Sequence, residues 1–175
     1  MTNTIIIAVL FVYMVYSIYK AFVIFRKHKQ ALSAFQKDHP NAKLFDSSKT
    51  WTLSSGAMGI LSFVMAGFMD HMTKAGAEEV LRYRILYVVI GLIFITMIFS
   101  SLAGKRMWFS EDGFFFGDRF FKFKDIDRKE PLGGIGSHSL RLVMKDSYAI
   151  QINKKMDEKI DSEVKLWKAK KKLKK

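Results

Sequence analysis

Long uncharged stretches alternate with charged ones along the first half of the chain, and then the period changes. Residues 1–19 carry no charge, Lys20 interrupts, and residues 21–25 resume the apolar run. Residues 50–69 and 85–104 are likewise uncharged, the last stretch bracketed by Arg84 and Lys105. A hydrocarbon core about 30 Å thick needs about 20 apolar residues in a helix. The pattern therefore predicts three membrane-spanning helices, at about residues 5–25, 50–69 and 85–104. Lys20 lies close enough to the end of its stretch to snorkel. A cleaved signal peptide would show a basic residue before the apolar run and a small-x-small site after it. Met1-Thr2-Asn3 and Phe25-Arg26 offer neither, so an uncleaved anchor is expected.

Leu32 and Phe35 keep a helical spacing beyond Arg26, until Asp38-His39-Pro40-Asn41 stops it. Leu44-Phe45 reads as a dip into the bilayer interface. Asp46-Ser47-Ser48 supplies cap candidates for the next helix, and Trp51 stands where an interfacial aromatic belongs. Inside the second span Ser55, Gly59, Ser62 and Ala66 share one helix face. Small residues on one face let backbones approach closely in lipid. Packing against the chain's own helices is expected, with a dimer seam or a substrate path as the alternative.

After Lys105 the period becomes that of strands. Residues 107–110 and 114–116 predict a hairpin around Glu111-Asp112-Gly113, where Asp-Gly would supply positive-φ residues. Residues 120–126 predict a third strand with Phe121 and Phe123 on one face, Lys122 and Lys124 on the other. Residues 128–137, with Pro131 and several glycines, read as a loop. Residues 139–145 and 148–153 alternate as two further strands. Met156, Ile160, Val164 and Trp167 then line one face of a helix that would cover the sheet. The expected fold class is membrane α-helical, with three transmembrane helices in residues 1–105. To this is joined a small C-terminal α+β domain in residues 106–175, an antiparallel sheet closed by a C-terminal helix.

Charge adds orientation. The 29 Lys and Arg residues outnumber 16 Asp and Glu, giving a formal +13. The first connector and everything after the third span are basic, whereas the N-terminus has no Lys or Arg. The positive-inside rule then predicts a multi-pass plasma-membrane protein with its N-terminus outside and its C-terminus cytoplasmic. Candidate contacts with anionic lipid are Lys105 and Arg106 at the membrane exit, and Lys122, Lys124, Arg141 and Lys145 on the strands. Lys168, Lys170, Lys171, Lys172, Lys174 and Lys175 form a tail expected to be frayed and solvated. Each such charge gains on the order of 1 kcal/mol near an acidic leaflet, less as salt rises. Nucleic acid is disfavoured, because no zinc-ligand cluster or recognition-helix pattern accompanies the charge.

Chemistry is sparse. With no cysteine, disulfides, thiol catalysis and thiolate metal sites are excluded. His28, His39, His71 and His138 are isolated from one another and expected at the surface, so neither a metal nor another cofactor is expected. Gly133-Gly134-Ile135-Gly136 lacks the third glycine and the following helix of a phosphate cradle. The spans hold no Asp, Glu, Arg or His to mark an ion path. Glu111/Asp112 and Asp125/Asp127 read as turn and strand-edge residues. A non-enzymatic protein is expected, with membrane lipid as partner and a protein partner or a second copy of the chain left open.

From Trp108 to Ile126 the run of a strand, Glu111-Asp112-Gly113-Phe114-Phe115-Phe116 and Phe120-x-x-Phe123-x-x-Ile126 carries a resemblance. Together with Leu140–Met144 and Tyr148–Ile152 before a helix, it resembles the pleckstrin-homology-like (PH-like) domains attached to transmembrane helices in bacteria. The layout of three spans followed by such a domain is similar to that of a family of small bacterial membrane proteins, with matching residues over roughly 109–152. The resemblance implies a PH-like fold and a binding or protective role rather than catalysis. Some domains of this class occur in proteins that confer immunity to membrane-active bacteriocins; that role, or a place as an accessory subunit of a transporter, is the alternative to leaflet or partner binding. The resemblance carries over no functional residue.

Overall fold

The computed structural model describes residues 2–74, 76–132 and 139–173, with side chains described at Val9 and from Phe11 onward. Its chain divides into two compact units, residues up to 29 with 48–104 and residues 30–47 with 105 onward. The long helix α1 (Thr2–Asp38) contributes to both.

In the first unit, α2 (Lys49–Met72) and α3 (Ala77–Gly104) are long and apolar enough to cross a membrane. These are the two candidate spans among the described residues, one fewer than the three expected. The remaining expected span falls on α1, where the side chains of residues 2–8 and 10 lie outside the described set. The α2–α3 seam is made by small residues. Ser55, Gly59, Ser62 and Ala66 are buried on α2, as are Gly91, Ser101 and Ala103 on α3. A Cβ on Gly91 would stand 2.7 Å from the Phe63 ring, and one on Gly59 would stand 3.2 Å from Phe94 Cβ. Hydrogen bonds hold both ends of the seam. At one end Arg84 donates to the Ala66 carbonyl (3.2 Å) and to Asp70 (2.6 Å). At the other, the Thr52 hydroxyl lies 3.4 Å from that of Ser48 and 3.3 Å from that of Ser101. Ser48 does occupy the N-cap position of α2, but its side chain makes no capping bond. Phe22 and Phe25 of α1 meet Phe99 of α3 at ring separations of 6.2 and 5.2 Å.

The second unit is built on two antiparallel sheets. The first has the order β1 (Lys43–Asp46), β2 (Arg106–Phe109), β3 (Gly113–Phe116), β4 (Arg119–Lys122). The second has the order β5 (Ile126–Pro131), β6 (Ser139–Met144), β7 (Ala149–Asn153). A single 3-10 turn, Phe123–Asp125, links the sheets, and α4 (Lys154–Leu173) closes the unit. The division expected at residue 105 therefore changes, since residues 30–47 cluster with the C-terminal half. Leu44-Phe45 forms part of a strand the sequence did not announce, β1, which pairs with β2 from Lys43↔Phe109 to Asp46↔Arg106. An Arg106–Asp46 ion pair of 2.8 Å spans the last rung, and the Ser47 hydroxyl donates to the Lys105 carbonyl at 3.0 Å.

The first sheet is aromatic on both faces because both are buried. Met107, Phe109, Phe114 and Phe121 point into the main core with Phe123, Leu142, Met144, Ile150, Ile152, Met156 and Ile160. Trp108 and Phe115 point the other way, onto Phe35, with Ala31, Leu32, Ala42 and Phe120 around them. Phe35 stacks on Phe115 at 5.1 Å. The end of α1, from Gln30 onward, is thus a structural layer of this unit. On the opposite side α4 inserts Met156 and Ile160, and Val164 and Trp167 pack against the same core. Asn153 organises the start of α4: its Oδ1 accepts from the Met156 amide (2.9 Å) while its Nδ2 donates to Ser47 Oγ (3.2 Å).

Several expected boundaries move. The third strand ends at Lys122, and Ile126, its expected last residue, begins a separate strand β5 that runs through Arg128–Pro131 of the expected loop and pairs with β6. The lysine-rich tail is helical to Leu173 rather than frayed, with Lys174 and Lys175 outside the described residues. The glycine loop, residues 133–138, also lies outside them. Gly113 does not have positive φ; that conformation belongs to Gly117 (φ 65°) and Ser147 (φ 65°). Gly113 is required for another reason. A Cβ there would fall 2.2 Å from the Phe121 carbonyl oxygen and 2.9 Å from Lys122 Cα, both backbone atoms of β4.

Lys129 ties the second sheet to α4, pairing with Asp157 and with Asp161 at 2.7 Å. Burial pushes the Lys129 pKa down, but the hydrogen bonds to the two carboxylates outweigh it and the net shift is upward. A raised lysine pKa means that the pair's contribution is complete below the unfolded-state value and is lost as pH rises through the folded value.

Three outcomes are expected. Gly113→Ala should cost about 3 kcal/mol, because backbone cannot step aside; a thermal midpoint within a degree of the parent in detergent would refute the close approach. Lys129→Met should cost about 1–2 kcal/mol by leaving two carboxylates unmatched. Its effect should vanish in urea titrations above the lysine range, and a pH-independent difference would remove the ion-pair explanation. A fragment beginning at Lys105 lacks β1 and the Phe35 cover, and should aggregate or unfold without a cooperative transition. A soluble, cooperatively unfolding fragment would show that residues 30–47 are dispensable.

Candidate functional site

A cleft in the second unit lies where the first sheet hands the chain to the second. Its volume is about 420 Å³. Arg119, Lys122 and Lys124 come from β4 and the turn that follows it, and Lys145 comes from the β6–β7 turn. Asp125 and Asp146 line it too. Phe121 and Met144, 8% and 3% exposed, form an apolar part of its wall.

Local sequence explains how these side chains are presented. In β4 alternate residues face opposite ways, so burying Phe121 leaves Lys122 at the surface. The 3-10 turn then buries Phe123 and exposes Lys124. In the β6–β7 turn the Ser147 amide donates to the Met144 carbonyl (2.9 Å), the Met144 amide to the Tyr148 carbonyl (2.8 Å), and Asp146 accepts from the Tyr148 amide (3.0 Å). Ser147 in the left-handed region completes a three-residue hairpin loop. This turn is fastened to the other wall by the Lys145 amide, which donates to the Asp125 carbonyl at 2.9 Å. The lysine backbones are therefore held in place, while their ammonium groups keep their freedom.

Charge in the cleft is uncompensated. Four cationic side chains face two carboxylates. Among the described residues Lys122, Lys124 and Lys145 form no ion pair. Arg119 reaches Asp118 only at 4.0 Å and lies 4.6 Å from the centre of the Tyr148 ring. Tyr148 in turn stacks on Phe121 at 5.7 Å.

Of the basic residues singled out in the sequence, the structure brings Lys122, Lys124 and Lys145 together and disperses the rest. Arg106 is committed to Asp46, and the Lys105 carbonyl to Ser47. Arg141 is on β6, opposite Glu130 and Gln151. Lys168, Lys170, Lys171 and Lys172 are on the last turns of α4, where Lys171 lies 5.4 Å from the Trp167 ring. Arg119 was missed; its position directly after a Gly-Asp turn, in register with Phe116, was the available signal. The helix-packing set Ser55, Gly59, Ser62 and Ala66 lies in the first unit, buried on α2.

The histidines do not share one surface role. His28 is 4% exposed, and His39 lies between Phe35 and Phe120 at 4.7 and 5.0 Å. His71 sits beside Phe68 at 6.5 Å, and His138 is outside the described residues. Among the described residues no three of His, Asp and Glu are grouped to hold a metal ion. Asp127 is engaged by Arg128 (2.8 Å), whose pKa is raised by hydrogen bonds to Glu130 first and Asp127 second. Comparison with protein-family models, characterised proteins and solved structures found no match to this chain.

Proposed function

We propose that this chain is a non-enzymatic, multi-pass protein of a bacterial plasma membrane whose C-terminal unit is a cytoplasmic PH-like domain that binds the anionic inner leaflet. In this reading α1, α2 and α3 all cross the bilayer, the N-terminus lies outside, and the basic segments stay inside. Two consecutive antiparallel meanders closed by a C-terminal helix support the PH-like part of the proposal. The apolar lengths of α2 and α3 support the membrane part. The observation that carries the binding role is the convergence of Arg119, Lys122, Lys124 and Lys145 on one cleft, with the three lysines unpaired among the described residues. Exposed cations that have no internal partner attract anionic surfaces at little desolvation cost.

A chain without cysteine makes single labels unambiguous. Glu78→Cys should react with a membrane-impermeant maleimide on intact cells, and Lys165→Cys only after permeabilisation; the opposite pattern would invert the topology. A polarity-sensitive dye on Ser147→Cys, beside Lys145, should shift to the blue when phosphatidylglycerol replaces phosphatidylcholine in nanodiscs holding the whole chain. Roughly 0.5 M salt should reverse the shift by screening. Emission indifferent to lipid charge would overturn leaflet binding.

A further inference from the structure

We infer that the cleft between β4, the 3-10 turn and the β6–β7 turn is a site for one phosphomonoester group, the headgroup of an acidic lipid being the source that fits a domain at the leaflet. This rests on the proposal that the domain works at an anionic surface, and narrows it from diffuse attraction to a particular headgroup.

Charge sets the class of ligand. Arg119, Lys122, Lys124 and Lys145 against Asp125 and Asp146 leave an excess of two positive charges at the cleft. A phosphomonoester carries about −1.5 to −2 at neutral pH, whereas a phosphodiester headgroup carries only −1. The monoester matches the excess, and the diester leaves part of it uncompensated.

Geometry sets the rest. A cleft of about 420 Å³ is of the size that holds a small ligand, and is larger than a bare phosphate requires. Buried Phe121 and Met144 in its wall lower the local dielectric on one side, which strengthens attraction to a bound anion. The Lys145-to-Asp125 backbone bond fixes the spacing of the two walls that carry the cations. Arg119 is held at its Tyr148 ring rather than in a strong ion pair, so its guanidinium fork remains available to take two phosphate oxygens. The phosphate needs no helix N-terminus and no glycine loop in this arrangement; side-chain cations on two turns supply it.

The test uses the whole chain in neutral detergent, with short-chain phosphatidic acid, short-chain phosphatidylglycerol and inorganic phosphate as probes, read by calorimetry. Phosphatidic acid should bind about tenfold more tightly than phosphatidylglycerol. Its affinity should rise as pH is raised through its second ionisation, near pH 6. Lys122→Gln and Lys145→Gln should each weaken it about tenfold, while Lys168→Gln on α4 should not. Arg119→Lys, which keeps the charge but loses the fork, should weaken it less than Arg119→Gln. Equal binding of the two lipids would overturn the phosphomonoester site and leave leaflet binding standing. No binding of either lipid would overturn both. Inorganic phosphate binding as tightly as phosphatidic acid would support the phosphomonoester site and overturn the lipid as its source.

Discussion

A four-stranded sheet whose every strand is four residues long cannot bury two aromatic faces by itself, and the second unit is shaped by that constraint. Trp108 and Phe115 project from one face, Met107, Phe109 and Phe114 from the other. Each face needs a separate cover. The second sheet and α4 supply one, and the end of α1 supplies the other through Phe35 and Leu32. The edge beyond β2 needs a partner too, and β1 pairs with it along its whole length. Burying an aromatic side chain of this size stabilises by about 2–3 kcal/mol, so neither cover is expendable. The consequence for the chain is that residues on both sides of α2 and α3 belong to one core.

The helical unit solves a different problem with different residues. In the lipid environment proposed for it, apolar side chains gain nothing by leaving the solvent, so helix contact depends on close packing and interhelical hydrogen bonds. The α2–α3 seam uses both. Gly91 admits the Phe63 ring and Gly59 admits Phe94, while Arg84 with Asp70 and the Ser48–Thr52–Ser101 hydroxyls hold the two ends. Arg84 is well suited to its place. It satisfies the Ala66 carbonyl and an aspartate together, near the end of the apolar stretch where a charge costs least.

What the sequence made legible were the features with a local cause. The apolar stretches, the Pro40 stop, the small-residue face of α2, the alternation in β6 and β7 and the Met156-Ile160-Val164-Trp167 stripe all follow from period or composition within a few residues. What it hid were features whose cause lies far along the chain. Lys43-Leu44-Phe45-Asp46 has no strand signature of its own and becomes one by pairing with residues 106–109. Ile126–Pro131 is too polar and ends in a proline, yet it pairs along β6, with Pro131 at its final residue. Gly113 looked like a turn glycine because Asp-Gly so often is one; its need is the close approach of the Phe121 carbonyl, a contact across a hairpin. The candidate cleft was half legible. Lys122 and Lys124 were read as an exposed strand face, but only the tertiary bond from Lys145 to Asp125 brings the third lysine to them.

The same reasoning separates the many basic residues by what they do. A net +13 suggests a molecule that is cationic everywhere, but several of its basic side chains are committed to internal ion pairs. Arg84 holds Asp70, Arg106 holds Asp46, Arg128 holds Asp127 and Glu130, Lys129 holds Asp157 and Asp161, and Lys159 holds Glu163. The Arg84, Arg106 and Lys129 pairs join different elements, whereas those of Arg128 and Lys159 lie within β5 and α4. Lys122, Lys124 and Lys145 brace nothing through their ammonium groups, although Asp125 and Asp146 line the same cleft and could have been placed within reach. Self-repulsion among gathered cations with no internal partner destabilises the folded state slightly. Three such cations gathered on one cleft between the two sheets, with no ion pair among the described residues, have an anion as the simplest physical account of that arrangement.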